Sequence, residues 1–101
     1  MNGASAVLDM RIWWAVNMAL GDMFAHAEAS GEQFDPDFAT FIDARNAIGS
    51  WLISRGFLYK LSVVLPNELI ESANAINSIA RNRLSYDHPL VTMDVLVPEI
   101  A

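Results

Sequence analysis

Apolar residues recur along this chain at two spacings, and the changes between them divide it into elements. From about Ala4 to Ser30, Leu8, Ile12, Ala15, Ala19, Met23 and Ala27 follow one another every three or four residues. Val16, Leu20 and Phe24 join that row, and together they predict a helix. Met10, Trp13, Trp14 and Met18 form a second apolar row, while Asp9, Arg11, Asn17, Asp22, His26 and Glu28 are scattered. Ser5 is the expected N-cap and Gly31 the expected stop. The adjacent tryptophans are the most informative feature. Successive helical residues point about 100° apart, so two neighbouring indoles cannot both enter one narrow core stripe. Either this helix is covered on more than one side, or one indole faces a partner.

After a connector at Gly31–Phe34, Asp35 offers an N-cap, Pro36 suits the first helical position, and Asp37 complements the positive end of the helix dipole. Phe38, Phe41, Ile42, Ile48, Leu52 and Ile53 then recur on a helical period. Arg55 falls in the last turn, with Gly56 and Phe57 placed for a Schellman stop. The second helix is expected at 36–55. Gly49 in its interior costs about 1 kcal/mol relative to alanine, and close approach of another helix would account for it.

The spacing changes at Phe57. Phe57, Tyr59, Leu61, Val63 and Leu65 alternate with a mixed set, which predicts a half-buried strand, a short helix being the alternative. Pro66 opens a third helix ending near Leu84, with Glu68 and Glu71 early and Arg81 and Arg83 late, as the macrodipole favours. Leu69, Ile70, Ala73, Ile76, Ala80 and Leu84 form its apolar side. Ser72, Asn74, Asn77, Ser78 and Asn82 form a side of short polar residues suited to a close hydrogen-bonding contact with another helix or chain. Ser85–Pro89 reads as a turn. Val91, Met93, Val95 and Val97 then alternate with polar residues as a strand or an extended arm. If both strands form, they flank the third helix and would pair in parallel.

The expected fold is therefore mainly α: a small three-helix bundle with the first helix central and two short strands or extended segments at about 57–65 and 90–97, which would make it α+β. Residues 1–101 read as one domain, with 98–101 as a flexible tail.

Composition sharpens this picture in one direction. The chain is 53% hydrophobic and only 18% charged, against about 25% charged for an ordinary soluble domain. A small domain has much surface to cover, so some apolar residues must lie outside, although alanine inflates the count. The net charge of −6 repels phosphate backbones, and the six basic residues form no run, which argues against nucleic-acid binding. Cysteine is absent, which removes disulfides, thiolate nucleophiles and Cys-based metal sites. No positive charge precedes Arg11, and the longest stretch without Asp, Glu, Lys or Arg is the ten residues Ile12–Gly21. A secretory signal and a membrane span are thus not expected, and a cytoplasmic location is.

Candidate chemistry is sparse. Asp22 and His26 share a helix face at a spacing that can present two metal ligands, but zinc and di-iron sites need three or four. His88, beside Asp87 and near Ser85, has no triad spacing and reads as a turn residue. Asp35 and Asp37 are explained by capping, and Arg81 and Arg83 by the dipole. No catalytic residue, metal or cofactor is expected. What remains is a small acidic, non-enzymatic protein that binds another protein (an adaptor, inhibitor, antitoxin-like regulator or assembly subunit) and associates with itself as a two-fold dimer. The expected interface comprises Trp13, Trp14, Met10, Met18, Asn74, Asn77, Val91, Met93 and Val95. The alternative is a small-molecule-binding protein or small enzyme with an apolar pocket near Trp13 and Trp14 and a polar group such as His26.

Overall fold

A computed structural model describes the backbone of residues 3–31, 35–86 and 88–96, and the side chains of 6–31, 35–86 and 88–90. The expected connector around 32–34, Asp87 of the turn and the tail from 97 onward lie outside the described residues. The element order is β1 (Gly3–Asp9), α1 (Met10–Ala29), α2 (Pro36–Arg55), β2 (Ser62–Leu65), α3 (Asn67–Leu84) and β3 (Val91–Leu96). The protein is mainly helical, with three helices and short strands as expected.

The first helix begins later than its apolar row suggests. Residues 3–9 are a strand, and Asp9, not Ser5, is the N-cap of α1: its Oδ1 accepts the N–H groups of Arg11 at 3.0 Å and Ile12 at 3.3 Å. The alternation of Ala4, Ala6 and Leu8 with Ser5, Val7 and Asp9 is hidden because Leu8 also fits the helical row. Tertiary pairing settles the ambiguity, since β1 is hydrogen-bonded along both edges.

The sheet has strand order β2-β1-β3, and both outer strands run antiparallel to β1. The two strands flanking α3 therefore run in the same direction, as a strand–helix–strand unit should. They do not pair with each other, because β1 lies between them. Register places Ala6 opposite Leu65 and Leu8 opposite Val63, and all four side chains are buried on the helix-covered face. On the other face Val64 and Ser62 are exposed. β2 is shorter than the alternating run predicts. Phe57–Leu61 is a turn, with the Lys60 N–H on the Phe57 carbonyl at 3.0 Å.

Successive helices run antiparallel, and α1 is not central: α3 packs closely on α2 and also meets α1. Phe24 of α1 meets Phe38 and Phe41 of α2 at centroid distances of 5.3 and 5.7 Å. At the opposite end of that pair, Trp13–Met18 face Arg45–Ile53. The last turn of α3 lies against the first turn of α2, where Arg83 bridges Asp35 and Asp37. One core cluster joins Ala6, Leu8, Leu20, Phe41, Ile48, Leu52, Ala73, Ile76 and Leu90, among others.

Helix ends follow the local signals. Gly56 is left-handed (φ 69°), and the Phe57 N–H reaches the Leu52 carbonyl while the Gly56 N–H reaches that of Ile53, completing the expected Schellman stop. Gly49 departs from expectation: a Cβ there would meet nothing within 4 Å, so no helix or indole needs its missing side chain. Gly49→Ala is accordingly expected to raise unfolding free energy by about 0.5–1 kcal/mol, the helix-propensity difference. Gly56→Ala, at a positive φ, should lower it by about 1 kcal/mol. Urea titration of the two variants against the parent checks both signs. Asp9→Ala, which removes the α1 cap, should cost about 0.5–2 kcal/mol in the same measurement.

Candidate protein-interaction surface

The N-cap at Asp9 sets the rotation of α1, and that rotation separates the two tryptophans. Met10, Trp13, Val16, Leu20 and Phe24 turn inward. Trp13 is 4% exposed and Met10 is equally enclosed, so both are committed to this chain's own core and correct the expectation that they serve an interface. Trp14, one residue on, points outward and is 47% exposed; Met18, one turn further, is 67% exposed.

Trp14 and Met18 form one wall of a groove between α1 and α2. Its volume is about 330 Å³, and its lining includes Trp13, Asn17, Arg45, Gly49, Ile53 and Leu58. Ile53, on the α2 side, is 66% exposed. The walls are apolar, and two polar groups mark them. Arg45 places its guanidinium 5.3 Å from the centroid of the Phe41 ring, a cation–π arrangement. Asn17 donates from Nδ2 to the Trp13 carbonyl at 2.7 Å, and its Oδ1 is buried without a hydrogen-bond partner among the described residues. A buried acceptor left open costs free energy, and this one is enclosed rather than presented to the groove. Tyr59, Leu61 and Val64 are further exposed apolar residues, in and next to β2.

The remaining expected residues fall elsewhere. Asn77 is occupied inside the molecule: its Oδ1 accepts the Leu90 N–H at 2.7 Å and fastens α3 to the segment entering β3. Asn74 is exposed on α3, away from the groove lining. The backbone of Val91, Met93 and Val95 lies in β3, opposite Leu8, Ala6 and Ala4; their side chains lie outside the described residues.

His26 does not join the tryptophan groove. It is exposed beside Ser30, Asp35 and Arg83, and at 1.5 Å per residue it stands about 18 Å along α1 from Trp14. His88 packs edge-on against Tyr86, at a centroid distance of 5.3 Å. Among the described residues no three His, Asp or Glu side chains converge on a point that could hold a metal ion. No helix there is long and apolar enough to cross a membrane.

Asp35 and Asp37 have a second role besides capping. Arg83 donates from its Nη2 to Asp35 at 2.6 Å and from its Nε to Asp37 at 2.9 Å. The guanidinium pKa is raised above its already high ordinary value, first by the Asp37 hydrogen bond. It is a fixed positive charge, and it ties α3 to α2. The sequence showed an acidic helix start and a basic helix end but not that they meet. Ile53, Leu58, Arg45 and Asn17 were likewise missed as groove residues, because nothing local distinguishes them from ordinary helix positions. Ile53 was the one available signal: it neighbours Leu52 and cannot share its buried direction.

Comparisons with protein-family models, with curated proteins and with solved structures gave no match to this chain.

The separation of the two indoles gives a direct test. Trp13→Ala should destabilise the fold by about 3–5 kcal/mol, as removal of a buried aromatic does. Trp14→Ala should cost less than about 1 kcal/mol, in keeping with a partly exposed position. Chemical denaturation followed by far-UV circular dichroism compares them without relying on the altered fluorophores.

Proposed function

We propose that this protein is a non-enzymatic binding protein whose working surface is the apolar groove between α1 and α2, with Trp14 as its anchor. One observation carries the reading: Trp14, Met18 and Ile53 remain exposed side by side although the core beneath them is filled. Contiguous apolar surface is costly to leave in water, and a rigid indole at its edge is the kind of residue that anchors protein contacts. The acidic surface, with net charge −6, keeps the free protein soluble and favours partners that are not themselves strongly acidic. An adaptor, inhibitor, antitoxin-like regulator or assembly subunit would each use such a surface.

The apolar lining of the groove supports a second reading, in which it takes a small apolar ligand. The groove is open along its length, which suits a protein segment better than a small molecule needing enclosure on most sides.

A photo-crosslinking amino acid placed at Ile53 in the native host tests the main reading. It should yield protein adducts, whereas the same group at exposed Asn82 on α3 should not. Absence of adducts at Ile53, or equal labelling at both positions, would sink it. Ligand-dependent quenching of Trp14 without any protein adduct would favour the second reading.

A further inference from the structure

The outward face of α1 carries a pattern that is complementary to itself. Arg11, Trp14, Ala15, Met18 and Asp22 are all exposed, and at 3.6 residues per turn they lie on one stripe. Arg11, Ala15, Met18 and Asp22 follow the 4-3-4 spacing of a helix–helix seam. Reversing that seam about a point between Val16 and Asn17 exchanges Arg11 with Asp22 and Ala15 with Met18. A second copy packed antiparallel on this axis would therefore meet opposite charge at each end of the seam and a small residue against a large one in the middle.

Trp14 and Gly21, a heptad apart, lie on the same flank of the stripe. The same axis brings Trp14 beside the partner's Gly21, where no Cβ intrudes. Self-complementarity of this kind is what a two-fold interface requires.

A separate observation points to Arg11. Asp37 and Glu68 occupy the first turns of α2 and α3, and basic residues occupy their last turns, as the dipole favours. α1 alone has no acidic residue in its first turn and places Arg11 there. That position disfavours a cation locally; the Asp9 cap offsets part of this, and a carboxylate from outside the helix would add a favourable contact. Asp22 of the same chain is about 16 Å away along the axis and cannot supply it.

We infer that the protein forms a two-fold homodimer through antiparallel packing of α1 on α1, with Arg11 of each copy paired to the partner's Asp22. The inference rests on the reading of the Trp14 face as a binding surface and names a second copy as its occupant.

Charge reversal tests it. The exposed substitutions Arg11→Glu and Asp22→Arg should each weaken self-association about tenfold or more, because each creates two like-charge contacts per dimer. An equimolar mixture of the two variants should associate as a heterodimer, since both end contacts of the seam then join charges of opposite sign. The double variant should recover the parental dimer. Sedimentation equilibrium on the full chain reads all four.

A parent protein that stays monomeric up to about 1 mM, the weak end of specific association, would overturn the dimer. So would single reversals that leave association unchanged, or a mixture no more associated than its components. Adducts from Ile53 to a different protein, together with a monomeric parent, would remove this inference and leave the binding surface standing. No dimer and no adducts would remove both.

Discussion

The structure depends on the junction between β1 and α1. At Asp9 the chain passes from extended to helical with no loop. The carboxylate of Asp9 satisfies two of the first helical N–H groups. The Asp9 N–H is held by the Leu90 carbonyl at 3.0 Å, and the Met10 N–H by the Leu61 carbonyl at 3.1 Å. Those last two bonds come from the segments entering β3 and β2. The end of the central strand, the start of the most apolar helix and the entries to both outer strands are thus locked at one point. A helix held this way cannot rotate, so the choice of which indole is buried is made there.

From that constraint the division of labour along α1 follows. The inward stripe from Met10 to Phe24 is given over to packing against the sheet, α2 and α3. Surface chemistry is left to Trp14, Met18 and the charged residues at either end of the outward stripe. The opposite end of the helical layer is closed differently, by Arg83 of α3 clasping the two aspartates that open α2. An exposed ion pair of this sort adds little to stability, but it fixes the alignment of α3 on α2. The groove lies at the other end of α2, toward the β1–α1 junction, between elements whose relative positions are set from both sides.

Sequence patterning read the helices well where caps and period agreed. The stop at Gly56 and Phe57 and the start at Asp35 and Pro36 are local hydrogen-bonding problems, and local residues solve them. Patterning failed at β1, where Ala4, Ala6 and Leu8 alternate but Leu8 also fits the helical row that follows; only the partners on either side choose between them. It failed again at Gly49. Propensity marks that glycine as costly, and a neighbouring helix was the natural explanation, yet the space beside it is open. It placed α1 at the centre because that helix is the most apolar, whereas the closest helix pair is α2 with α3. The apolarity of α1 beyond what its core face needs is the surplus seen at Trp14 and Met18.

For the candidate site, the sequence alone determined that two adjacent indoles on a helix must part company, since their angular separation is a property of the helix itself. It also determined that no cysteine chemistry and no basic run competes for a role. Which indole goes inside, and which residues of α2 line the groove beside the other, was decided by tertiary structure. The cap at Asp9 and the two carbonyls from Leu61 and Leu90 set the rotation of α1, and the residues that supply them are up to about eighty positions apart in the chain, a distance over which no local pattern carries information.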